Sequence, residues 1–191
     1  INCDVTEINN HCNMGLVAAN LLRDRYGISK GAHIVIEKGI PLSSGLGGGS
    51  SDAAAVLNLL WRLWEIDGSV KGLFEVAADV GSDVPFFLRG GTASVGGRGE
   101  LVRSLPDLDK QWFLVLIPKV NLPNKTSHMY SKLKDTDFTN GGLSRKLEAR
   151  IRGGGDLPDE LLFNAFRSVA ANSIGQVQVG AEFLDKVGCR R

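Results

Sequence analysis

A mixed helix-and-strand fold, organised around one glycine-rich loop, is what this sequence predicts. Three observations carry that prediction. Apolar residues recur at helical spacing in several windows, and short β-branched runs between them read as strands. The run Pro41 to Ser51, dense in glycine and serine, is wedged between such a strand and a strongly apolar helix.

The elements follow in chain order. Leu16, Ala19, Leu22 and Tyr26 are spaced as one helical stripe, with Gly27 as the stop signal. His33 to Lys38 has strand character and is ended by Gly39 and Pro41. After the loop, Asp52 to Glu65 reads as a helix whose polar stripe is only Asn58, Arg62 and Glu65. A helix apolar over most of its circumference is expected to be buried, and Trp61 and Trp64 are expected in its core. Leu73 to Val80 reads as a further helix ended by Gly81, and Asp83 to Leu88 as a turn entering an apolar stretch. Trp112 to Ile117 is predicted to be a short buried strand, and Pro118 to Pro123 a hinge into a second domain. Arg145 to Arg152, flanked by glycines, reads as a solvated helix face. Leu161 to Val169 is the last predicted helix.

Composition narrows the function. The 191 residues are 43% hydrophobic and 23% charged, ordinary globular usage that excludes disorder as the overall state. With 22 basic against 21 acidic residues, the formal net charge is +1. That balance gives no electrostatic reason for nucleic acid or a membrane surface as the main partner. No apolar stretch approaches the roughly 18 residues of a membrane span. Cys3, Cys12 and Cys189 are far apart, without a C-x-x-C or a histidine at ligand spacing, so reduced thiols are expected rather than a disulfide or zinc. His11, His33 and His128 show no partner pattern. Glycine is the outlier, with 24 residues against an average share of about 7%.

The loop concentrates that glycine. Gly45, Gly47, Gly48 and Gly49 let the backbone approach a ligand closely. Successive N–H groups can then face one concavity at the positive end of the following helix. Pro41, Leu42, Ser43, Ser44, Gly45, Leu46, Gly47, Gly48, Gly49, Ser50 and Ser51 are therefore the candidate phosphate-binding residues, with Ser50 or Ser51 the candidate metal contact. No Gly-Lys-Ser/Thr closes the loop, and Ser50 stands where a dinucleotide fingerprint has its third glycine. The plain alternative is a flexible linker with a serine cap, a poor fit between a strand and a buried helix.

The motif Gly45-Leu-Gly-Gly-Gly-Ser-Ser-Asp-Ala-Ala54 resembles the phosphate-binding motif of the GHMP small-molecule kinases. The triple glycine, the Lys38-Gly-Ile-Pro41 lead-in and Gly81-Ser-Asp-Val-Pro-Phe-Phe87 are similar to one branch. Gly97-Arg-Gly-Glu100 follows in the same order. That branch phosphorylates the 2-hydroxyl of a cytidine-diphosphate-linked methylerythritol during non-mevalonate isoprenoid synthesis. The resemblance implies a two-domain α+β fold, with an ATP-binding domain over residues 1–118 and the beginning of a second domain over 119–191. It also implies ATP and Mg2+ as cofactors, a small-molecule substrate, a monomer or homodimer, and the bacterial cytoplasm or plastid stroma. Asp83 matches the family's catalytic aspartate, and Thr126 a substrate-side position. Asn13 and Lys38 match positions near the nucleotide. On local sequence alone, Asp83 also reads as a turn residue before Val84-Pro85. The family's opening Ala-Lys-x-Asn-Leu motif, its Tyr-His pair and its closing Gly-Ser-Gly loop have no counterpart in these residues. The segment is accordingly expected to be part of a longer enzyme and not to turn over by itself. Another GHMP kinase and an inactive nucleotide-binding module stay open as alternatives.

Overall fold

The computed structural model of the chain describes residues 1–8, 10–118 and 125–189, except for the side chains of Lys125 and Thr126. It divides into two compact units, Ile1–Leu105 and Pro106–Arg191.

In the first unit, helix α1 spans Met14–Tyr26, α2 spans Gly48–Leu63, α3 spans Val70–Val80 and α4 spans Val84–Arg89. Two of these starts are fixed by a side-chain cap. Asn13 caps α1 by accepting from the Gly15 N–H at 2.9 Å, and Ser69 caps α3 by accepting from Gly72 at 3.1 Å. Gly27, in the left-handed conformation, ends α1. The four helices bury a common core in which Leu22, Leu57, Val76 and Val84 are closed off from solvent. Trp64 lies in it and donates its indole N–H to the Gly31 carbonyl, while Trp61 packs edge-on against Tyr26.

Strand β1 (Asn2–Cys3) pairs in parallel with β2 (Val35–Ile36), Asn2 opposite Val35 and Cys3 opposite Ile36. The strand expected over His33 to Lys38 is thus two residues long, because its partner offers only two. β3 (Ala93–Gly96) and β4 (Leu101–Ser104) form an antiparallel hairpin around the turn 97–100.

Other expectations also need correction. Helix α2 begins at Gly48, not Asp52, so the end of the glycine loop is itself the first helical turn. Its burial is one-sided: Leu57 is closed off, while Leu59 and Leu63 are 65% and 63% exposed. Trp112 to Ile117 forms no strand and is exposed along its length. A strand needs a partner for its N–H and C=O groups, and among the described residues none runs beside it.

In the second unit, α5 spans Lys125–Tyr130, α6 spans Gly142–Arg152, α7 spans Arg167–Ser173 and α8 spans Gly175–Lys186. The basic segment is the helix α6, with only Ile151 buried. The helix expected over Leu161 to Val169 starts only at Arg167, as α7, and the residues before it are not α-helical. There a 3-10 turn over Asp159–Leu161 is followed by extended chain. The Phe166 N–H donates to the Asn164 side chain at 2.9 Å, a local turn that competes with helix. Most of the residues expected to form a hinge, 119–123, lie outside those described.

Candidate functional site

Unit Ile1–Leu105 holds a cavity of about 290 Å³ at the N-terminus of α2. Every residue from Pro41 to Ser50 lines it, with Ile8, Cys12, Asn13, Met14, Lys38 and Asp52. The glycine-rich run therefore wraps a concavity, as a cradle does and a linker does not.

The wrapping follows from backbone geometry. Ser43, Gly45 and Gly47 have φ values of 54°, 82° and 72°, in the left-handed region. At Gly47 a side chain is excluded twice over, by that φ and by the Phe87 ring, 2.6 Å from where a Cβ would lie. Gly47 then leads into the first turn of α2. The Ser51 N–H reaches the Gly47 carbonyl at 2.8 Å. The N–H groups of Gly48, Gly49 and Ser50 precede the first intrahelical bond and have no acceptor within the helix. They sit at its positive end.

Lys38 supplies the cavity's cation. Its ammonium meets the Asp52 carboxylate at 2.5 Å, with the lysine side chain 5% exposed and the aspartate side chain 25% exposed. The Lys38 main-chain N–H donates to the Asp4 carboxylate at 3.1 Å. Asn13 is buried with both ends of its amide engaged, capping α1 and donating to the Ile8 carbonyl at 3.0 Å. Its proximity to the cavity thus accompanies a structural duty.

The remaining candidates separate. The Ser51 hydroxyl donates to the Gly48 carbonyl at 2.8 Å and does not line the cavity, whereas Ser50 does. Asp83 is exposed at the N-cap of α4, makes no capping bond, and is not among the lining residues. One turn further along α4, Phe87 packs on Gly47, which ties Asp83's helix to the loop. The residue before Asp83 is held from the other side. A Cβ on Gly99 would lie 2.3 Å from the Ser82 carbonyl oxygen, so the 97–100 turn packs tightly there. That turn is closed by the Glu100 carboxylate, which accepts from the Arg98 N–H at 2.7 Å. Main-chain hydrogen bonds, first its own and then that of Arg98, hold the Glu100 carboxyl below its ordinary range. Thr126 lies in the first turn of α5, and its side chain is outside those described.

Among the described residues, no group of three His, Cys, Asp or Glu side chains is placed to hold a metal ion. No helix among them is long and apolar enough to cross a membrane. The lining residues that sequence reasoning did not single out are Asp52, Met14, Ile8 and Cys12. Only Asp52 left a signal, a lone carboxylate directly after the loop.

Comparison with known proteins agrees with this geometry. Residues 13–91 match the GHMP kinases N terminal domain. A Dehalococcoides mccartyi protein named 4-diphosphocytidyl-2-C-methyl-D-erythritol kinase is 46% identical over 154 residues, 80% of this chain and 54% of that protein. A Bacillus licheniformis protein of the same name is 44% identical over 176 residues, 92% of this chain and 60% of its own length. The chain thus spans a little over half the length of these relatives. A crystal structure of 4-(cytidine 5'-diphospho)-2C-methyl-D-erythritol kinase superposes with a TM-score of 0.75 at 28% identity, over 99% of this chain and 66% of that one.

Proposed function

We propose that this chain, whose residues 13–91 match the GHMP kinases N terminal domain, is part of an ATP-dependent kinase for a small-molecule alcohol. The proposed substrate is 4-diphosphocytidyl-2-C-methyl-D-erythritol, phosphorylated on its 2-hydroxyl in isoprenoid synthesis. The names of the curated relatives support that substrate. One observation carries the reading: the glycine loop becomes the first turn of α2 around a cavity that also holds Lys38.

In this reading the N–H groups of Gly48, Gly49 and Ser50 and the Lys38 ammonium take the nucleotide's phosphate oxygens. The substrate hydroxyl oxygen attacks the γ-phosphorus, the bond to the β-phosphate oxygen breaks, and ADP leaves. Asp83 accepts the hydroxyl proton as general base. Mg2+ neutralises phosphate charge when it is bound. Such ions are commonly held by few protein ligands beside the phosphates, and the Ser50 hydroxyl in the cavity fits that limited role. Thr126 is proposed on the substrate side from its sequence match alone. The domain assignment, residues 1–118 and the start of a second domain after them, is part of the same proposal. So are the bacterial cytoplasm or plastid stroma and a monomeric or homodimeric state.

The test pairs two measurements. Titration with a fluorescent ATP analogue should show saturable binding by this chain, displaced by ATP. A coupled assay on the full-length enzyme should show phosphate transfer to the cytidine-diphosphate-linked alcohol. Absence of displaceable binding removes the cradle reading, and transfer to a sugar or mevalonate instead removes the substrate.

A further inference from the structure

Lys38 and Asp52 form the most enclosed ion pair in the cavity, and the aspartate has no role in the reading above. The lysine ammonium is almost fully withdrawn from solvent, and its recorded side-chain partner is Asp52. Asp52 belongs to α2, the helix whose first turn forms the cradle. The ammonium stands 3.4 Å from where a Cβ on Gly48 would lie, beside the first helical residue. A lysine stem has four rotatable bonds, and untethered it would sample many positions. Bonded to a carboxylate on the helix, the charge is fixed in the same frame as the Gly48, Gly49 and Ser50 N–H groups. An ammonium has three protons, and this pair occupies one. The others remain for an anion entering the cavity.

We infer that Asp52 is a positioning residue, acting through Lys38 to aim its ammonium at the phosphates of a bound nucleotide. The inference rests on the proposed ATP cradle and adds a residue to it. Asp52 also repels the ligand as a second anion. The ammonium can donate to the phosphates while the carboxylate cannot, and Coulomb energy falls with distance, so the cation in contact dominates.

Displacement of a fluorescent ATP analogue from the chain, with ATP and with adenosine as competitors, tests this alongside thermal unfolding. Asp52→Ala should weaken ATP roughly tenfold, the scale of one lost charge-assisted hydrogen bond, and leave adenosine unchanged. Asp52→Asn, which keeps an acceptor oxygen, should restore most of the loss. Added to Lys38→Met, Asp52→Ala should have no further effect, because the two act as one unit. Should Asp52→Ala fail to fold, Asp52→Leu fills the volume and carries the same comparison. Equal weakening of ATP and adenosine would overturn the inference, as would additive losses or parental ATP affinity in Asp52→Ala. If Lys38→Met still loses ATP in those cases, the cradle stands without Asp52. If Lys38→Met binds ATP as the parent does, the cradle reading falls and takes the inference with it.

Discussion

Asp83 is exposed and its carboxylate makes no capping bond, so exchange for an amide removes basicity and little else. In the full-length enzyme, Asp83→Asn should retain nucleotide binding and lose about two to four orders of magnitude in turnover, the usual worth of a positioned general base. Steady-state kinetics beside a thermal melt check this, and a variant that melts and turns over like the parent would exclude Asp83 as the base. Glu100 makes a pH prediction. Its carboxyl is held low in the folded chain by its own main-chain N–H and by that of Arg98. A depressed carboxyl contributes stability fully above its unfolded value, and that contribution fades as pH falls through the folded one. Melting temperatures across the acidic range should therefore fall less steeply in Glu100→Gln than in the parent.

Helix α2 serves two ends at once. Its first turn forms the site, while Leu57 on its inner face is closed into the core and Leu59 stands out. Leu57→Ala should cost about 2–5 kcal/mol in urea unfolding, and Leu59→Ala less than about 0.5 kcal/mol. Similar losses would contradict the one-sided burial. Gly48 sits at the junction of the two functions. A Cβ there would meet Ile40 at 3.0 Å and the Lys38 ammonium at 3.4 Å. Gly48→Val should therefore abolish nucleotide binding by pushing the lysine and Ile40 aside, and lower the melting temperature as well. Retained affinity in that variant would show that the Lys38 wall is unimportant.

At the scale of the whole molecule, every residue lining the site falls within Ile1–Leu105, which has its own four-helix core. That unit expressed alone should fold cooperatively and bind the fluorescent ATP analogue within roughly threefold of the full chain, a difference well under 1.4 kcal/mol. Circular dichroism melting and titration decide the matter. Failure to bind would mean that residues after Leu105 contribute to the cradle.

Local chemistry made much of this protein legible from sequence. Gly27 and Gly81 bound helices because capping is decided within a turn, and the glycine loop announced itself because only glycine tolerates the φ values and close approaches seen at Gly47. What sequence could not settle depends on partners distant along the chain. Trp112 to Ile117 has the composition of a buried strand, but a strand exists only where another pairs with it. Apolar composition marked α2 for burial, yet which side is covered depends on α1, α3 and α4 packing there and nothing covering Leu59. The Lys38–Asp52 pair joins residues 14 positions apart. Neither residue alone announces it, because the loop's reversal and the helix's early start bring ammonium and carboxylate to one wall of the cavity.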